Sequence, residues 1–201
     1  LSFGLLMAYL SAAPFVLRNV LGMGTVAYTA VFGLCGATVT VTIAVAASLV
    51  RRFSQVRQVR VGLIAVLVVD TVFAAVCLMW LREPVTGPER MPLLVAVVAL
   101  FLAHVACLGL AMGNAPALAL DRTGRWAGTG SALLGFLQFV VGGLVSPLVG
   151  LTGEASGVAF GVVIVGVSVI ANILAVFGLH ERGEKQRLAA EEAERRQRLG
   201  Q

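Results

Sequence analysis

Charge is scarce in this sequence. Asp, Glu, Lys and Arg make up 12 % of its 201 residues, about half the share of an ordinary soluble domain, while 59 % are apolar. A water-soluble fold of this length has no interior large enough to hide that many apolar side chains. Trp and Tyr are also rare, at 2 each against 23 Gly. Small residues let helices approach closely in lipid, where apolar contact between helices brings no hydrophobic gain, so the composition points to a packed bundle rather than single anchors.

Other absences remove whole classes of function. Cys35, Cys77 and Cys107 lie in apolar runs without CxxC or histidine spacing, which leaves no disulfide framework or zinc site and makes them small core hydrophobes. No metal or cofactor is expected. There is no GxxxxGK[ST] loop for nucleotide, no GxSxG or HExxH, and no paired aspartate in an apolar run, so no catalytic residues are assigned and an enzyme is not expected. The net charge of +5 does not make a nucleic-acid patch, because the 15 basic residues stand between apolar runs. The first of those runs has no charged segment before it and no A-x-A after it, unlike a signal peptide. A start at Leu1, without Met and already apolar, gives the expectation that the sequence is a piece of a longer one.

Six runs are long enough for a hydrocarbon core about 30 Å thick. They are Leu1–Leu17, Thr25–Val50, Val61–Leu81, Pro92–Leu120, Ala127–Leu151 and Gly157–Leu179. Backbone groups cannot stay unpaired in lipid and no run alternates as a barrel strand does, so the fold class is all-α integral membrane with six transmembrane helices. With these bounds every basic residue falls outside the spans. Alternate loops, counting the tail, hold twelve basic residues against three on the other side. The richer side is expected to be cytoplasmic, with the first helix running outward and the C-terminus inside. Residues 1–179 form the six-helix unit. Residues 180–201 turn abruptly to Glu, Arg, Lys, Gln and Ala, with Glu181/Lys185, Glu191/Arg195, Glu192/Arg196 and Glu194/Arg198 at i, i+4, the pattern of a solvated charged helix.

The first run carries Tyr9-Leu-Ser-Ala-Ala-Pro-Phe-Val-Leu17. The fifth carries Ala127-Gly-Thr-Gly-Ser-Ala-Leu-Leu-Gly-Phe-Leu-Gln-Phe139 and then Gly142-Gly-Leu-Val-Ser-Pro-Leu-Val-Gly150. Together with Val50-Arg-Arg-Phe-Ser-Gln-Val-Arg57 and Gly113-Asn-Ala-Pro-Ala-Leu-Ala-Leu120, in the same order and spacing, these resemble helices seven to twelve of the Bcr/CflA drug-resistance subfamily of the major facilitator superfamily. The resemblance runs from Leu1 to about Leu151. It implies the C-terminal half of a twelve-helix transporter, built as two inverted three-helix repeats, with its partners being the missing N-terminal six-helix half, the lipid bilayer, protons and a small amphipathic drug. It implies multidrug efflux by proton antiport, powered by the proton gradient, in a bacterial inner membrane. The superfamily's acidic residue in the basic loop has no counterpart between Arg51 and Arg60. Another metabolite porter of the superfamily, and a non-transporting six-helix protein or channel, are the alternatives.

Polar residues within the spans supply the candidate site. Asp70 is the only acidic residue in a span, close to mid-membrane, where a charge costs at least about 2.5 kcal/mol. It is either a proton-coupling residue or a structural hydrogen-bond partner. His104 is the only span histidine, a candidate for substrate contact or proton coupling, or a packing residue. Gln138 stands on a small-residue stripe, Ser131, Gly135, Gly142, Ser146 and Gly150, which serves helix packing or lets the amide reach a ligand. Tyr9 and Phe15 suit an apolar drug pocket, and Asn114 faces either a cavity or a neighbouring helix. Pro14 and Pro147 break helical hydrogen bonds and are candidate hinges. Gly109/Gly113 and Gly157/Gly161 are read as packing pairs, and Asn172 as an interhelical donor.

Overall fold

The structure is a computed structural model that describes the backbone of residues 2–121, 123–150 and 157–198 and their side chains except at 125, 150 and 179–198. The charged pairs expected in the tail lie outside the described residues. Among the described residues the chain is all helical. It runs as α1 (Ser2–Pro14), continued by a π-helical turn (Phe15–Val20), then α2 (Thr25–Leu49), α3 (Gln55–Trp80), α4 (Arg90–Leu120), α5 (Ala127–Gly150) and α6 (Val158–Arg198). Six segments are long and apolar enough to cross a membrane, the first being α1 together with the π-helical turn (Ser2–Val20), and in α6 the segment is Val158–Gly178.

α3 and α4 begin before their apolar runs, which corrects the expectation that every basic residue lies outside the spans. α3 starts at Gln55 because the Ser54 hydroxyl caps it, accepting from the Arg57 N–H at 3.3 Å, so Arg57 and Arg60 ride on its first turns. α4 starts at Arg90, and Arg18 sits on the π-helical turn. A helix continues through the headgroup layer as long as its charged side chains reach water, so helix length exceeds hydrocarbon length.

Packing follows an exchange symmetry. α1 lies parallel to α5, with Gly4 against Val141 and Val145, Gly142 against Met7, and the Ser11 hydroxyl donating to Ser146 O at 3.1 Å. α4 lies parallel to α2 in the same manner, with Gly109 on Thr42 and Val39 and Gly113 on Ala46 and Ile43. α3 and α6 run antiparallel, with Gly157 against Leu81 and Gly161 against Ala74 and Cys77. Swapping α1 with α4, α2 with α5 and α3 with α6 maps these pairings onto one another, which fits half of a major facilitator fold built as two inverted repeats. The Ser11–Ser146 link lies three residues before Pro14 in α1 and one before Pro147 in α5, and Pro147 is exposed. Pro116, inside α4, is a further proline that the sequence reading had not singled out.

At the end of the bundle opposite the Val50–Arg60 turn, Arg90 ties the two repeats together. Its Nε donates to Leu21 O at 2.7 Å, its Nη2 donates to Gly22 O, and the Val85 N–H donates to Val20 O at 2.9 Å. Gly22 has φ +61, a left-handed conformation that lets these carbonyls turn toward the guanidinium. Arg90→Gln is expected to lower stability by about 1–2 kcal/mol after allowance for exposure, and to speed hydrogen exchange at 17–23 while sparing α5. Unchanged exchange there would leave the clamp without energetic weight.

Candidate functional site

The polar residues of the spans gather on the helix faces that meet in the interior. Steps of four along α3 put Gln58, Gly62, Val66 and Asp70 on one buried face. Asp70 is about 22 Å along a helix of 26 residues, close to its midpoint. It is fully buried, as is Ser168 of α6, and His104 of α4 is 1 % exposed. His104 Nδ1 is 2.7 Å from Asp70 Oδ1, and the Ser168 hydroxyl donates to Asp70 Oδ2. An ionised carboxylate only accepts, so both contacts supply donors and Nδ1 carries a hydrogen. His104 Nε2 is then a bare acceptor, and it has no hydrogen-bond partner.

Aromatic rings close the cluster on the side of the Arg90 clamp. Phe73 lies 4.9 Å from Phe101 and 5.1 Å from Phe160, centroid to centroid, and Tyr9 is 5.1 Å from Phe101 and 6.1 Å from the His104 ring. These rings are all buried and exclude water, which strengthens every electrostatic interaction of the carboxylate. The bare Nε2 leaves one acceptor position open on the ring, outside the two hydrogen bonds that hold the cluster together.

A second polar pair lies nearer the arginine-rich end. Asn114 Nδ2 donates to Gln58 Oε1 at 3.1 Å and to Leu110 O at 3.1 Å, while Gln58 Nε2 donates to Phe53 O at 3.2 Å. Asn114 is 2 % exposed and thus joins α4 to α3 rather than facing an open cavity. Asn172 similarly ties α6 to α3, donating to Leu63 O at 2.9 Å. Asn114→Leu is expected to cost about 0.6–2 kcal/mol, and adding Gln58→Leu should restore part of it by removing the orphaned amide. Thermal unfolding of the two single variants and the double variant measures this coupling, and strictly additive losses would dismiss it.

Of the sequence candidates, Tyr9, Asp70 and His104 are brought together. Gln138 is half-buried and lines a separate cavity of about 100 Å³ with Ser2, Phe3, Met112, Pro116 and Leu134. Phe15 is half-buried on the π-helical turn, away from both groups. Gly142 and Ser146 of the α5 stripe contact α1, Gly135 meets nothing within 4 Å, and the side-chain position of Gly150 lies outside the described residues. Gln58 and Ser168 had not been singled out. The four-residue spacing of Gln58 to Asp70, and of Ser168 to Asn172, is the signal that finds them.

The chain is similar to the uncharacterized MFS-type transporter YdgK of Bacillus subtilis (strain 168), at 30 % identity over 172 residues. The match covers 86 % of this chain and 40 % of the relative, so the chain spans about two fifths of the length of the curated relative it matches. No family model matches the chain. No solved structure matches it significantly.

Proposed function

We propose, from the support that this similarity gives to the major facilitator superfamily and to a transport role, that the chain is the C-terminal half of a multidrug exporter of the Bcr/CflA type, working by proton antiport. The observation that carries the reading is the sealed Asp70–His104–Ser168 cluster in the middle of the bundle. A buried carboxylate in a membrane helix is expensive unless it is paired or used, and here it is paired to a base with one nitrogen left free. Alternating access supplies the proton's path: the aromatic closure around Phe73 and Phe101 opens as this half rocks against another. The proton gradient is the energy source.

One feature supports an opposing half and another bears on the substrate. α2 and α5 are the least buried of the six spans, and on them Val41, Val45, Phe136, Phe139 and Leu144 face outward, surface that an opposing six-helix unit covers in part. Met112, Phe3 and Leu134 around Gln138 suit a small amphipathic substrate better than a sugar. The arginine-rich end faces the cytoplasm, with the helical extension of α6 beyond residue 179 as a cytoplasmic tail and the whole set in a bacterial inner membrane.

Reconstitution of the natural full-length protein in liposomes tests the reading. An imposed proton gradient is expected to drive a lipophilic cationic dye against its own gradient, and a protonophore to stop it. Dye movement indifferent to the protonophore would rule out antiport.

A further inference from the structure

The α2–α3 turn combines two features to which the transport reading assigns no ligand. Arg51, Arg52, Arg57 and Arg60 fall within ten residues, all exposed, with no acidic residue from Val50 to Val69. Next to them is a cavity of about 230 Å³ between the ends of α2, α3 and α4, with Leu49, Phe53, Val61 and Leu110 on its walls and Arg57 at its rim. The walls are almost wholly apolar. The Arg57 guanidinium lies 5.2 Å from the centroid of the Phe53 ring, and the Gln58 amide is consumed by Phe53 O and Asn114, so no polar group competes for the cavity.

We propose that this turn and its cavity bind one anionic phospholipid, with the phosphate among Arg51, Arg52 and Arg57 and one acyl chain in the groove beside Val61. The depth is right for such a ligand. The apolar part of α3 begins at Val61, one turn from Arg57, so the arginines stand at headgroup level and the groove opens just below. Guanidinium groups hold phosphate oxygens by paired hydrogen bonds, and basic clusters beside membrane helices attract anionic lipid by about fivefold in affinity per arginine. The site is distinct from the Asp70 cluster, and its failure leaves the transport reading untouched.

Native mass spectrometry of the natural full-length protein, exchanged into mixed micelles with phosphatidylglycerol or with phosphatidylcholine of the same chains, tests it. Retention of one phosphatidylglycerol, and little phosphatidylcholine, is expected. The triple variant Arg51→Gln, Arg52→Gln, Arg57→Gln should bind it about a hundredfold more weakly, as three steps of about fivefold compound. Val61→Phe keeps every charge and fills the groove, and should also reduce retention; it decides the matter if the triple variant does not fold. Equal retention of both lipids, exclusion of both, or full retention in Val61→Phe overturns the proposal. So does displacement of the lipid by millimolar inorganic phosphate, which would make the turn a site for soluble anions.

Discussion

Asp70→Asn is expected to reduce proton-driven export to the level of vesicles lacking the protein while the helices stay assembled. The asparagine is the same size as the aspartate and can still accept from the Ser168 hydroxyl. Its amide donates to His104 Nδ1, which moves the ring hydrogen to Nε2, so both bonds made to residue 70 are kept, at the cost of an unpartnered N–H at Nε2. On the proposed antiport, what is lost is the negative charge opposite the imidazole. Asp70→Leu, by contrast, leaves His104 and Ser168 buried without their acceptor, and removing one partner of a buried charged pair costs up to about 3–5 kcal/mol in water-soluble folds. The two variants therefore separate coupling from assembly. Dye export under an imposed gradient, read beside the thermal unfolding midpoint, distinguishes them, and wild-type flux in Asp70→Asn would remove the carboxylate from the mechanism. His104→Gln should lower export in the same assay, whereas Gln138, in its own cavity, should alter substrate preference without changing dependence on the gradient.

Gly62→Leu is expected to have the largest effect on the fold. A Cβ at position 62 would stand 3.1 Å from the Ala111 nitrogen and 3.1 Å from Cys107 O, both backbone atoms of α4 that cannot rotate away. Gly62→Ala alone forces α3 from α4 and should cost about 1–3 kcal/mol, and the three further carbons of leucine exceed that. The displacement travels along both helices, because Gly62 and Asp70 share the α3 face that packs on α4. Loss of the assembled form in detergent, with Gly62→Ala intermediate, is the expected series. Gly143→Leu provides the control, since nothing lies within 4 Å of that position, and it should be tolerated. A stable, active Gly62→Leu variant would contradict the close packing of α3 on α4.

Much of this architecture was legible in the residues because lipid imposes simple rules. The six spans follow from apolar length, and a packing role for Gly109 and Gly113 follows from small residues four apart, though that α2 is the partner comes from the structure. Helix ends were less legible, since Gln55 to Arg60 read as loop by polarity yet form the start of α3 under the Ser54 cap. The cluster was half legible. Asp70 and His104 stood out as the one acidic residue and the one histidine of the spans, but their contact depends on how α3 and α4 are rotated about their axes, which tertiary packing sets. Ser168 gave only a weak signal, its four-residue spacing to Asn172, as serine in a membrane helix usually bonds its own backbone. Arg90 was counted only as a loop charge, and its role arises from the turn at Gly22, more than sixty residues away.

The most direct measurement of the central claim is the proton balance of substrate binding. The natural full-length protein in detergent, in weakly buffered solution with a pH indicator, is titrated with a lipophilic cation. About one proton released per molecule bound is expected, together with its disappearance in Asp70→Asn. Binding without proton release, or the same release from Asp70→Asn, would contradict a proton carried by the Asp70–His104–Ser168 cluster.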